Sequence, residues 1–61
     1  MKRYLVWGEY GFQEGERLEK RKYRAHSADN AIKRYTREMR PQFPYFWKIQ
    51  NVQVMAMELT Q

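Results

Sequence analysis

"RKYRAHSADNAIKRYTREMRP", Arg21 to Pro41, changes its apolar period part-way along, and that change decides the fold. At its start Tyr23 and Ala25 alternate with Lys22 and Arg24, the period of two that sends strand side chains to opposite faces. From Ala28 the apolar residues Ala28, Ala31, Ile32, Tyr35 and Met39 recur at spacings of 3, 1, 3 and 4, one stripe on a helix. Ser27 stands where an N-cap hydroxyl accepts from first-turn amides, and Asp29 suits the positive end of the helix dipole. Pro41 closes the helix by disfavouring helical backbone at Arg40. A strand therefore runs directly into an amphipathic helix.

Upstream, Lys2 to Phe12 reads as a strand with Tyr4, Val6, Gly8, Tyr10 and Phe12 on one face and Leu5 and Trp7 on the other. "GFQEGER" supplies a hairpin loop turning near Glu14-Gly15, and the second strand spans Leu18 to Ala25. Downstream, a third strand is expected from about Phe46 to Glu58. Trp47 and Ile49 differ in parity from Val52 and Val54, so a bulge near Gln50-Asn51 is needed to align them. The order β-β-α-β predicts a single α+β domain over residues 1–61, a three-stranded antiparallel sheet with one helix on one face. Gly8 in mid-strand would then admit the helix close to the sheet. Between helix and third strand, Pro41 and Pro44 bracket a short connection in which Trp47 is expected to plug the core. Phe43, Tyr45 and Phe46 cannot all point the same way, so at least one is expected at the helix end or on the surface.

A chain of 61 residues is near the lower limit for one self-sufficient core. It has no cysteine, which excludes disulfides and thiolate metal sites and suits a reducing compartment. One histidine, His26, makes no zinc site, and no apolar run approaches the roughly 20 residues that span a bilayer. The basic start "MKRYLVWGEY" is broken by Gly8-Glu9 before any cleavage site, so an intact cytoplasmic chain without a membrane partner is expected. General acid–base chemistry needs positioned, tuned groups, yet the acids here scatter over turns and strand ends. Ser27 is engaged as a cap, and His26 beside it is a sequence neighbour and no triad. The expectation is a non-enzyme with no catalytic residue, cofactor or metal.

The net charge of +5 is unevenly spread: nine of the 12 Lys and Arg fall between Arg17 and Arg40, with only Glu19, Asp29 and Glu38 among them. Such clustering points to a polyanionic partner. Two surfaces carry it. On the helix, Lys33, Arg34, Arg37 and Arg40 fall within an arc of about 120° opposite the apolar stripe, suited to a phosphate backbone. On the open sheet face, Lys20, Lys22 and Arg24, with Lys48, surround Trp7, the mix of cations and indole that holds single-stranded nucleic acid. The two surfaces are expected on opposite sides of the molecule. Met55 and Met57 with Leu59 form an adaptable apolar C-terminal strand that is a candidate core element, dimer edge or docking surface.

With these residues in place, "KRYLVWGEY", "RKYRAHSADNAIKRYTREM" and "WKIQNV" resemble archaeal large-subunit ribosomal protein LX over most of the chain. The resemblance implies the β-β-α-β fold and a position on ribosomal RNA. Where that family is polar and basic after the helix, this chain has "RPQFPYFWK". Aromatics and prolines there suit a protein surface, with Phe43, Tyr45, Phe46, Met55 and Met57 as its contacts. In size and architecture the chain is also similar to small phage-encoded factors that bind a host enzyme, an analogy of fold alone. Two readings follow: an RNA-binding, ribosome-associated module using Trp7, Lys20, Lys22, Arg24, Lys33, Arg34, Arg37 and Arg40, or a small inhibitor or adaptor acting on a host protein. The charge favours the first.

Overall fold

A computed structural model describes residues 1–10, 17–44, 47 and 52–60. Strands β1 (Lys2–Glu9) and β2 (Arg21–Ala25) precede helix α1 (Ala28–Met39), and strand β3 (Gln53–Leu59) follows it. The sheet order is β2-β1-β3, with both outer strands antiparallel to β1. The helix lies across one face and touches all three strands. This is the α+β architecture that the change of period predicts.

Alternation along β1 sorts its side chains as expected. Tyr4 and Val6 are buried under the helix with Gly8, while Leu5 and Trp7 are half-buried on the open face. The helix contributes Ala31, Tyr35 and Met39, all fully buried, and β2 contributes Tyr23 and Ala25. Tyr23 and Tyr35 meet edge to face, centroids 6.4 Å apart, a favoured geometry for two rings. Ser27 caps α1 as predicted, its hydroxyl accepting from the Asn30 amide at 3.2 Å.

The first strand ends at Glu9 and leaves out Tyr10, short of the expected Phe12, and three further details differ from the sequence reading. The first is in β2, which starts at Arg21 and not at Leu18. Val6 pairs with Arg21, yet Glu9 pairs with Arg17, so the second segment carries one extra residue between those pairs. This is a bulge over residues 18–20. It turns Leu18, which strict alternation would place beside Lys20 on the open face, inward to a buried position next to Gly8.

The second concerns Gly8 and the helix end. A Cβ on Gly8 would meet Leu18 Cδ1 at 3.1 Å and Val52 Cγ1 at 3.2 Å, so the glycine makes room for these two side chains and not for the helix. At the other end of α1, Arg40 keeps helical backbone (φ −58°, ψ −44°). Pro41 stops the helix because it offers no amide to the carbonyl of Arg37. The chain then turns, with the amides of Gln42 and Phe43 both donating to Met39 O.

The third is the start of β3 at Gln53, well past Phe46. Pro44 and Trp47 have helical backbone, and the Trp47 amide donates to Phe43 O at 3.4 Å. Pro44 suits a first helical turn, with φ preset and no amide left over, so it favours helix where aromatic content suggests strand. Trp47 is half-buried against the core and not enclosed by it. The expected hairpin turn at Glu14-Gly15 and bulge at Gln50-Asn51, with Phe12, Tyr45, Phe46, Lys48 and Ile49, lie outside the described residues.

Candidate nucleic-acid interface

Lys33, Arg34, Arg37 and Arg40 are all exposed on the side of α1 away from its buried stripe. They differ in what they do. Arg34 folds back onto β2: its guanidinium donates to Arg24 O at 2.7 Å and lies over the Tyr23 ring, 5.0 Å from the centroid. Part of its role is therefore to stitch helix to strand. Among the described residues, Lys33, Arg37 and Arg40 have no carboxylate partner within ion-pair distance.

The helix carries two acids, Asp29 in its first turn and Glu38, and Glu38 is turned elsewhere. Glu38 accepts from the Tyr23 hydroxyl at 2.5 Å and from Arg21 at 3.3 Å, across to β2. The Tyr23 hydrogen bond, helped by Arg21, holds the Glu38 carboxyl below the usual carboxylate range. Burial, reinforced by the Glu38 carboxylate, pushes the Tyr23 phenol up to about 12. Glu38 thus stays ionised and bound to β2, not to the outward helix cations.

The two basic surfaces meet, contrary to the expectation that they lie on opposite sides. A depression of about 320 Å³ is lined by Arg24 from β2, His26, and Asn30, Lys33, Arg34 and Arg37 from the helix. A second one, about 550 Å³, opens on the other flank of the same ridge beside Ile32, Thr36, Arg40 and Pro41, with Lys33 and Arg37 shared between the two. The strand β2 is an edge of the sheet, and its Arg24 joins the helix cations in one strip around that edge.

Trp7 sits apart from this strip. Its indole NH donates to Glu9 at 3.1 Å, Glu9 pairs with Arg17 at 3.5 Å, and both Arg17 and Lys20 stand over the ring, at 5.5 and 6.0 Å. A base stacking on Trp7 would compete with two cations already there. Its cross-strand neighbour is Met55, and Leu5 faces Met57. Phe43 is half-buried against the core at the helix end, while Tyr45 and Phe46 lie outside the described residues. Of the described residues considered for protein contact, Met55 and Met57 are the exposed ones, at 40% and 49%.

Among the described residues no three His, Cys, Asp or Glu side chains gather to hold a metal, and no helix is long and apolar enough to cross a membrane. Compared with models of known protein families, with curated proteins and with solved structures, the chain matches none of them. Sequence reasoning found the cations of the strip but missed the Arg34–Arg24 contact that joins them. Its only signal was an arginine near the middle of the helix that follows the strand.

Proposed function

We propose that the protein is a non-enzymatic RNA-binding module, ribosome-associated and cytoplasmic, that grips phosphates along the strip from Arg24 over Lys33 and Arg37 to Arg40. The observation that supports this is the shared depression: four cations from two elements converge on one concavity, and Glu38 of the helix is engaged on β2. Arg24 and the helix cations offer several charges on one surface, the kind of contact that positions a nucleic-acid backbone without reading its sequence. Lys22, next but one to Arg24 on β2, would extend the strip, with Lys20 beyond it over Trp7. The ribosomal resemblance agrees with this reading but does not carry it.

The test is a salt series of RNA affinity for the wild type and for Lys33→Gln with Arg37→Gln. Arg34 is left intact because it also braces the fold. The double variant should keep its melting temperature and bind more weakly, its log–log salt slope flatter by roughly 0.7 to 0.9 per lost contact. An unchanged slope would move the contacts to Lys20, Lys22 and Arg24. Absence of RNA binding by the wild type would overturn the reading.

A further inference from the structure

The open face of the sheet is divided lengthwise into a cationic and an apolar half. Across the strands, one row runs Lys22, Leu5, Met57, and the next runs Arg24, Arg3, Leu59. A third begins with Lys20 over the Trp7 ring and ends at Met55. Each row has a cation at its β2 end and an apolar side chain at its β3 end. Leu5, Trp7 and Leu59 are half-exposed and the two methionines more so, an apolar strip continuous over β1 and β3. Glu9, already held by Trp7 and Arg17, is the acid that the described part of this face carries.

We propose that this face docks an acidic amphipathic helix of a partner protein, lying along the strands with its apolar side on Leu5, Met55 and Met57 and its carboxylates toward Lys22 and the cations over Trp7. Charge complementarity selects that occupant. Met side chains are flexible and polarisable and mould to apolar partners, and flanking lysines set orientation and exclude basic helices. A second copy of this chain fits poorly. Whichever way two such faces meet about a twofold axis, cations come to lie on cations or on methionines, buried without a counter-charge. The fit in length is good: the seven residues of β3 extend roughly 23 Å at about 3.3 Å per residue. A helix of about 16 residues at 1.5 Å per residue matches that span.

The probe is a labelled synthetic helix of about 16 residues with Leu on one side and Glu along one flank, beside a scrambled peptide of equal composition and a version with Lys for Glu. Wild-type protein should bind the first and neither of the others in fluorescence anisotropy. Met55→Gln with Met57→Gln, both exposed sites, should melt normally and lose about tenfold or more in affinity, the scale of a hot spot. Lys22→Glu should lose binding to the Glu peptide and gain it for the Lys peptide, a reversal that a merely damaged fold would not produce. Equal binding of the scrambled peptide, or no binding at all, would overturn the proposal. So would a wild-type dimer that the Met double variant disperses, which would assign the face to a second copy. Loss of RNA affinity in that variant would assign it to nucleic acid instead. The RNA reading itself is tested on Lys33 and Arg37, so either idea can fail alone.

Discussion

The hydroxyl of Tyr35, in the middle of the helix, accepts the amide proton of Gly8 in the central strand at 3.2 Å. It also donates to the carbonyl of Glu19 at 2.7 Å. In an unbroken ladder Gly8 and Glu19 would bond to each other, but the bulge draws them apart, since Gly8 O takes the Leu18 amide instead. One phenol thus satisfies a donor and an acceptor that the irregularity leaves over. Burial raises the Tyr35 phenol above its ordinary pKa, in keeping with a neutral hydroxyl that both gives and takes a proton bond.

Tyr35→Phe should therefore cost more than one ordinary hydrogen bond. It leaves the buried Gly8 amide unpaired, at about 1–3 kcal/mol, and also removes the bond to the Glu19 carbonyl, which is only part-buried. In a domain of this size Tm should fall by about 4–8 °C per kcal/mol. Thermal melting checks the cost, and faster exchange of the Gly8 amide checks its place.

Gly8→Val should be among the most damaging single changes, by about 1–3 kcal/mol of overpacking. The clash is with Leu18 and Val52 and not with the helix. Adding Leu18→Ala should recover part of the loss, whereas trimming Ile32 on the helix should not. Double-mutant melting distinguishes the two.

Two titrations bound the stable range. The Glu38 carboxyl is held low in the folded chain, so its contribution is present above the ordinary carboxylate pKa and lost as pH falls through the folded value. The Tyr23 phenol is raised from 10.0 to about 12, so its contribution is complete below pH 10 and lost between pH 10 and 12. Tyr23→Phe should flatten both flanks of a Tm-against-pH curve. Tyrosinate absorbance of the wild type should show a late-ionising ring.

Arg34 and Lys33 are adjacent exposed cations that should behave differently. Arg34→Ala removes a hydrogen bond to Arg24 O and a stack on Tyr23, and should cost about 0.5–1.5 kcal/mol. Lys33→Ala should stay within about 0.5 kcal/mol. Trp47→Ala, at a half-buried ring, should fall below the roughly 3–5 kcal/mol of a fully buried aromatic. Denaturant melts of the three variants test that order.

The helix was legible in the sequence because everything that makes it is local: a stripe at 3.6 spacing, a serine cap, a proline stop. The same holds for the two faces of β1. The bulge was not legible, because it belongs to a pair of strands, and Leu18 by itself reads as an outward residue. The start of β3 was misplaced because Trp47 and Ile49 have strand propensity, while Pro44 favours a helical turn. For the site, the cations could be named residue by residue from composition and spacing. That they form one strip depends on how far Arg34 reaches, and that the methionines share a face with Trp7 depends on the register of β3 against β1.

The central position of β1 also fixes an order of events in folding. The strand nearest the N-terminus is flanked by β2 on one side and on the other by β3, so residues 2–9 must wait for residues 53–59 before the sheet is complete. The hairpin and helix can form early from near neighbours, but the last ladder closes a loop almost as long as the domain. Such long-range closure is slow for its size and exposes the β1 edge meanwhile. While the chain is being synthesised, that edge is the part most open to pairing with something else.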